Sequence, residues 1–136
     1  MNTTIREISH KDAWPIRHKV MWPEKSFDFI KLPDDDKGLH YGLFIEERLI
    51  SVVSLFIEAR TAQFRKFATL KEEQGRGYGT TLLRFLMDQA HQLDITKLWC
   101  NARKDKVHFY QAFGMRKTER DFSREGIDFT ILEKEF

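Results

Sequence analysis

The chain has 136 residues, of which 41% are hydrophobic and 32% charged, and its net charge is +2 at neutral pH. This length favours one domain, and the composition is typical of a globular protein in water. So small a net charge gives no argument for binding to nucleic acid or to a membrane surface, because carboxylates are nearly as numerous as cationic groups.

The single cysteine, Cys100, excludes an internal disulfide and favours a reducing compartment, so we expect a cytoplasmic protein. No apolar run approaches the ~20 residues that span a bilayer, and the first residues lack the apolar core of a secretion signal. Three consecutive aspartates, residues 34–36, stand in a loop-like stretch. We interpret them as a solvated loop and expect no metal, since no further ligands converge there.

The predicted elements follow the order β-α-β-β-β-α-β-α-β-β. The first strand covers residues 3–8, and Ser9 with Asp12 forms a capping box that starts a helix reaching about residue 20. Pro15 is tolerated there only near the first turn, and Trp22-Pro23 ends the helix. The remaining predictions are strands at 41–46, 49–57 and 61–70, a helix at 80–93, a strand at 97–101, a short helix around 107–113, and strands at 116–122 and 127–132.

A parallel crossover unit is predicted from three consecutive elements, namely strand 61–70, helix 80–93 and strand 97–101. Ligands of open sheets bind beyond the carboxyl ends of such strands. We therefore predict an α/β fold, with a mixed sheet of the α+β kind in one domain of residues 1–136, and a binding site at that edge of the sheet.

The clearest functional pattern is a run of six residues between strand 61–70 and helix 80–93. It reads Gln74-Gly75-Arg76-Gly77-Tyr78-Gly79. Glycines allow close backbone approach, and a helix N-terminus adds unpaired N–H groups, so this arrangement suits a phosphate. A dinucleotide-binding G-x-G-x-x-G fails because Thr80 stands at its last position, and no lysine follows Gly79 as a nucleoside-triphosphate loop requires. The alternative is a flexible turn, which three glycines in five positions make less attractive.

The loop matches Q-x-x-G-x-G and resembles the diphosphate loop of the GNAT acetyltransferase superfamily. Residues 99–115 resemble the same family's N-x-x-A-x-x-F-Y-x-x-x-G-F segment. The matching positions are Asn101, Phe109, Tyr110, Gly114 and Met115. Two motifs in this order extend the resemblance over nearly the whole chain.

The resemblance implies acetyl-CoA as donor and direct transfer of its acetyl group to a primary amine of a small molecule, peptide or protein. It also implies that strands 4 and 5 splay apart, so that the pantetheine arm of coenzyme A pairs with strand 4. The cofactor-binding residues implied by position are Phe67, Ala68 and Thr69 for pantetheine, and Gln74, Gly75, Arg76, Gly77, Tyr78, Gly79 and Thr80 for the diphosphate.

Tyr110 stands where the family usually has its general acid, since a phenol of pKa ~10 still holds its proton at neutral pH. The alternative is a core tyrosine. The family's carboxylate bases are missing, because Gln63 and Asn101 occupy their positions. Asn101 is kept as a catalytic candidate that orients pantetheine or water, although it can also simply cap its strand.

Four other titratable residues are weaker candidates for the base: Glu58, Glu72, His40 and His108. Each is more typical of a surface or structural role. The base therefore stays open between a chain of waters and an amine that arrives already neutral. A second function fits the missing carboxylates, namely a GNAT-like module that senses acetyl-CoA without catalysis.

The acceptor side is expected in residues 17–38 and the last hairpin. Three aromatic residues are candidates to line it, although apolar residues in such a segment more often belong to the core: Trp22, Phe27 and Phe29. An Arg17 or Lys25 that faced the groove would favour an acceptor carrying a carboxylate or phosphate. We expect no nucleic-acid or membrane partner, and the C-terminal strands leave an edge at which a homodimer can form.

Overall fold

The computed structural model describes residues 2–136, so Met1 of the predicted domain lies outside the described residues. Its elements confirm the predicted order, with bounds that differ by a few residues. They are β1 (Thr3–Ile8), α1 (His10–Ile16), β2 (Leu39–Ile45), β3 (Arg48–Glu58), β4 (Thr61–Thr69), α2 (Tyr78–Gln92), β5 (Lys97–Arg103), α3 (Val107–Gln111), β6 (Arg116–Arg124) and β7 (Ile127–Glu135).

The strands form one seven-stranded sheet in the order β1-β2-β3-β4-β5-β7-β6. Every neighbouring pair is antiparallel except β4 and β5, which run parallel and are joined by α2. The predicted α/β fold with a mixed sheet is therefore confirmed. β7 lies between β5 and β6, so β6 is the outer strand of this half of the sheet.

Helices cover both faces of the sheet. His40 and Tyr41 are consecutive in β2, so their side chains point to opposite faces. The His40 ring lies 5.8 Å from His10 of α1, whereas the Tyr41 ring lies 5.5 Å from Phe85 of α2. The buried side of α2 carries Leu82, Leu83, Leu86, Met87 and Ala90 at helical spacing. Each fully buried leucine contributes about 1.5–3 kcal/mol to folding.

The first helix is shorter than predicted. Its capping box is confirmed, because the Ser9 hydroxyl accepts from the Asp12 N–H at 3.2 Å and the Asp12 carboxylate accepts from the Ser9 N–H at 3.4 Å. Pro15 lies beyond the first turn, where its missing N–H removes a helical bond. The chain leaves α geometry after Ile16, continues as a π-helical turn at Arg17–Met21, and ends at Trp22.

β4 contains a β-bulge in its pairing with β3, just beyond the point where its ladder with β5 ends. Ser54 pairs with Arg65 and Val52 with Ala68, so Lys66 and Phe67 together face one residue of β3. Lys66 takes a φ of 57°, which is uncommon for a residue with a side chain. The β4–β5 ladder ends at the pair Gln63 and Trp99. Residues 64–69 therefore diverge from β5, as the predicted splay requires.

Candidate functional site

A cavity of about 520 Å³ opens where β4 and β5 diverge. It runs from the glycine loop to the region between the π turn and β7. Its lining residues are Val20, Met21, Phe64, Arg65, Lys66, Phe67, Ala68, Thr69, Glu73, Gln74, Gly75, Gly77, Tyr78, Gly79, Thr80, Cys100, Asn101, Arg103, Lys106, Phe109, Tyr110 and Phe129. Both predicted catalytic residues and every predicted cofactor-binding residue except Arg76 lie in this lining.

The glycine loop has the backbone of an anion cradle. Gly75 and Gly77 have φ of 78° and 85°, and a Cβ added at either would meet nothing within 4 Å. The Gln74 amide donates to the Thr69 carbonyl at 2.8 Å, which fixes the loop against the end of β4. Helix α2 begins directly after Gly77, and its first N–H groups have no intrahelical partner. This open, donor-rich space fits a diphosphate.

Arg76 lies outside the cavity lining. Its guanidinium stands 3.5 Å from the Glu73 carboxylate, and Arg48 approaches the other oxygen of Glu73 at 3.1 Å. Arg76 would have to exchange this partner before it could bind a phosphate, so its assignment to the cofactor stays a prediction.

The free edge of β4 supplies the second part of a donor site. Beyond Gln63, the β4 backbone has no ladder partner in β5. Phe67, Ala68 and Thr69 lie on this stretch and line the cavity. An extended chain with amide groups can add to such an edge as an extra strand, and the pantetheine arm of coenzyme A has this character.

Tyr110 lies on α3 at the divergence of the two strands. Its ring packs 5.9 Å from Phe64 of β4 and 5.2 Å from Phe109. Burial raises the pKa of Tyr110 well above the usual value of a phenol, Cys100 adds to the rise, and the Arg103 guanidinium opposes it. The hydroxyl of this lining residue therefore keeps its proton at neutral pH and can act as a hydrogen-bond donor.

The candidate bases do not converge on the cavity. Asn101 is exposed on β5 and lines it, but Gln63 does not. Glu58 and His108 are exposed outside the lining, and Glu72 pairs with Arg48 at 3.1 Å. Within the described lining, Glu73 is the only carboxylate, and it already pairs with two arginines.

His40 is buried in β2 and lies outside the cavity lining, which agrees with the structural role favoured from the sequence over a role as base. Its Nε2 stands 2.7 Å from the Asp35 carbonyl oxygen and its Nδ1 2.7 Å from the Ser54 hydroxyl. Burial lowers the pKa of His40, partly opposed by the Asp35 carbonyl. Both ring nitrogens are engaged, and the residue is structural.

Asp35 corrects the interpretation of the three aspartates as a solvated loop. Its carboxylate is 3% exposed and pairs bidentately with the fully buried Arg17, at 2.8 and 2.9 Å. Arg17 also donates to the Ser54 hydroxyl and to the Ile30 carbonyl, at 2.9 and 3.2 Å. Arg17 therefore holds the loop against β3 and does not face a groove. A buried ion pair joins residues 18 positions apart in sequence, which local patterning does not reveal.

The three aromatic residues predicted as candidates for the acceptor side do not line the cavity. Trp22 is buried, Phe27 packs edge-on against Trp14, and Phe29 packs against Trp22. Lys25 pairs with Glu125 at 3.0 Å, so the loop contacts the β6–β7 hairpin. The cavity is lined here by other residues, namely Val20, Met21, Phe129, Arg65 and Lys66. Sequence reasoning missed Arg65-Lys66, although two consecutive cations inside an otherwise apolar strand were a usable signal.

Among residues 2–136, no helix is long and apolar enough to cross a bilayer. The same residues contain no cluster of three or more side chains suited to hold a metal ion.

Cys100 is buried in the wall of the cavity. It is 2% exposed, and burial raises the pKa of its thiol to about 12. Because the thiolate is the reactive form, we expect an aromatic disulfide reagent at pH 8 to label the native protein at least about 10²-fold more slowly than the denatured protein. Absorbance of the released thiol measures both rates. Equal rates would show that Cys100 is accessible.

Comparison with known proteins is consistent with this geometry. Residues 18–136 match the family model described as an acetyltransferase (GNAT) domain. The uncharacterized N-acetyltransferase YitI of Bacillus subtilis is 28% identical over 132 residues, covering 90% of this chain and 89% of the relative.

Two solved structures share the fold over 99% of both chains. A proposed N-acetyltransferase from Lactobacillus plantarum superposes with a TM-score of 0.89 at 22% identity. A GNAT family acetyltransferase from Elizabethkingia anophelis, solved with acetyl-CoA bound, superposes with a TM-score of 0.75 at 19% identity. At these identities the structures establish the fold, and the family model establishes membership. The chain belongs to the GNAT acetyltransferase family, and it is accordingly an acyltransferase that uses acetyl-CoA as its donor.

Proposed function

We propose that this enzyme transfers the acetyl group of acetyl-CoA directly to a primary amine of a small molecule or peptide. The supporting observation is that the free β4 edge, the glycine loop and Tyr110 all line one cavity. Residues 67–69 would bind pantetheine through their backbone, and the amides of the loop and of the first turn of α2 would bind the diphosphate.

Direct transfer is supported by the inactive state of the one thiol that lines the cavity. Cys100 is the only cysteine of the chain, and burial holds its pKa at about 12. A thiol that keeps its proton does not take the acetyl group in a first step. We therefore expect both substrates to be bound together when the amine attacks the thioester.

Tyr110 would protonate the thiolate that leaves. Tyr110 and Cys100 line the same cavity, and burial raises the pKa of both groups. The leaving thiolate forms beside them and so has more affinity for a proton than in water. Proton transfer from a buried phenol is then less unfavourable than the solution pKa values imply.

Asn101 would orient the pantetheine arm or a water. Its exposed amide lies in the cavity lining on β5, across the gap from the β4 edge. A neutral amide cannot take the proton of the amine, so we propose that water takes it or that the amine binds as the free base.

Two further expectations, on the cellular compartment and on a dimer interface, accompany this function. The lone buried thiol suits a reducing compartment, and we keep the cytoplasm as the expected location. The outer strand β6 is almost wholly exposed, so we keep it as the edge at which a homodimer would form.

Steady-state assays test the transfer. Acetyl-CoA is mixed with a panel of primary amines, and released coenzyme A is measured with a thiol reagent. We expect turnover with at least one amine and intersecting double-reciprocal lines, since both substrates bind before transfer. Parallel lines, or an acetylated enzyme detected by mass spectrometry in the absence of acceptor, would contradict direct transfer.

Gly77→Ala tests the diphosphate cradle. A Cβ at φ 85° strains the loop and enters the open space that the phosphates would occupy. We expect coenzyme A to bind roughly tenfold more weakly by calorimetric titration, the effect of one lost charge-assisted hydrogen bond.

Gly126→Ala is the matched control. Gly126 has a φ of 75° and equally open surroundings, but it lies in the β6–β7 turn. It should incur similar strain with an unchanged Kd for coenzyme A. An unchanged Kd in Gly77→Ala as well would remove the loop from donor binding.

A further inference from the structure

The cavity contains positive charges that the donor site does not use. Arg65 and Lys66 of β4 line it, and Arg124 at the end of β6 acts electrostatically on both. We call these three residues the basic cluster. Among residues 2–136, none of the three forms an ion pair within 4.0 Å.

The cluster is strained electrostatically. Burial, reinforced by Arg65, Arg17 and Arg124, lowers the pKa of Lys66 to about 8, and Asp35 only partly opposes this. Burial also lowers the pKa of Arg65, with Asp34 opposing. The carboxylate of Asp35 is already neutralised by its pair with Arg17. A bound anion would relieve both the lost hydration and the mutual repulsion.

The cluster is separate from the expected diphosphate position. Residues 67–69, which would pair with pantetheine, lie between Lys66 and the glycine loop. Three strand residues already span ~10 Å. Near the loop, Arg48 and Arg76 are occupied by glutamates. The basic cluster therefore lies at the end of the cavity away from the glycine loop, where the acetyl group and the acceptor would meet.

The loop that follows the π turn contacts the last hairpin. Lys25 pairs with Glu125 at 3.0 Å, and the Arg124 guanidinium lies 6.0 Å from the Phe29 ring centroid. Phe129 of β7 and Met21 line the same cavity. A small acceptor would thus find apolar walls and a cationic floor.

We propose that the acceptor is an amine that also carries an anionic group, a carboxylate or a phosphate, and that Arg65 and Lys66 bind this group. The inference rests on the proposed transfer to an amine. The geometry also addresses the missing base, because nearby cations disfavour the ammonium form of the acceptor and so favour the attacking free base.

Matched pairs of acceptors test the proposal. One pair is an α-amino acid and its carboxamide, another is an amino alcohol and its phosphate ester, and a polyamine is added. At saturating acetyl-CoA, we expect the anionic member of at least one pair to have a higher kcat/KM by about tenfold or more, the effect of a charge-assisted hydrogen bond. The pair that shows this preference distinguishes carboxylate from phosphate.

Variants assign the preference to the cluster. Arg65→Gln and Lys66→Gln should each reduce the ratio of kcat/KM for the anionic over the neutral acceptor by about tenfold. Arg60→Gln is the control, since Arg60 is exposed in the β3–β4 turn, and it should leave this ratio unchanged. An unchanged ratio in both cluster variants would overturn the assignment.

Binding separates this proposal from the proposed function. The same pairs are titrated calorimetrically into the coenzyme A complex, which requires no turnover. Neutral and anionic members that bind and react equally, or a preference for the polyamine, would overturn the anionic acceptor and leave acetyl transfer intact. Anionic members that bind more tightly without being acetylated would support the basic cluster and contradict the proposed transfer.

Discussion

Tyr110→Phe should lower kcat by about 10²- to 10³-fold while the Kd for acetyl-CoA changes little, as expected for the loss of a general acid. The substitution removes only the hydroxyl, and the ring contacts with Phe64 and Phe109 remain. Without a proton donor, the leaving thiolate must form unprotonated next to a partly buried wall, where burial raises the pKa of the Cys100 thiol to about 12. Initial rates and calorimetric titration measure the two quantities.

Tyr41→Phe is the matched control for this change. Tyr41 is buried under α2 against Phe85, and it lies outside the cavity lining. The same chemical deletion there should leave kcat unchanged. Wild-type kcat in Tyr110→Phe would remove Tyr110 from the mechanism, and an equal loss in both variants would indicate a general structural effect.

The second large effect concerns stability. Asp35→Asn should lower the free energy of unfolding by about 3–5 kcal/mol, because it leaves the buried Arg17 guanidinium without its counter-charge. Arg17→Met combined with Asp35→Asn should recover part of this loss, since no unpaired charge then remains. Denaturant unfolding with an unchanged m-value measures each variant.

Asp28→Asn is the control for Asp35→Asn. Asp28 also pairs with a cation, Lys31, at 2.8 Å, but in solvent, where such a pair has little effect on stability. If the two substitutions destabilise equally, the buried pair is not what anchors the loop to β3.

Acid should have a related effect. Although burial alone would raise it, bonds from Arg17, the Leu32 N–H and the Trp14 indole hold the pKa of Asp35 at about 2, below its usual 3.8. A depressed folded-state pKa stabilises the protein fully above the unfolded value, and this contribution is lost as the pH falls from about 4 towards 2. The Asp35→Asn variant should lack this part of the acid sensitivity.

Much of the fold could be predicted because it depends on local regularities. The leucines of α2 recur at helical spacing, and the apolar strand segments are separated by short turns. Pro15 was the local exception. It was expected to be tolerated only near the first turn, yet it lies deeper in α1, and the helix leaves α geometry directly after it. Proline disfavours a continued helix, whereas packing of the helix favours it. The spacing of residues in the sequence does not show which of the two effects prevails.

The candidate site likewise has a part that local motifs predict and a part that they do not. The glycine loop and Tyr110 are carried by short motifs, and the structure places both in one cavity. The segments predicted for the acceptor side do line the cavity through Val20, Met21 and Phe129, but Arg17 does not face it, because it pairs with Asp35 in the interior. Arg65 and Lys66 line the cavity instead, and the bulge at Lys66 accompanies the divergence of β4 from β5.

By itself, the sequence determined the order of elements, the glycine loop and the family resemblance, because each depends on neighbouring residues and on backbone conformations that glycine permits. Only the tertiary structure decided which charges are neutralised and which remain free. Burial and ion pairing depend on side chains that meet from distant segments, and their electrostatic energy is set by how far water is excluded. The donor site is therefore proposed from local motifs, whereas the anionic character proposed for the acceptor depends on charges that only the folded structure brings together.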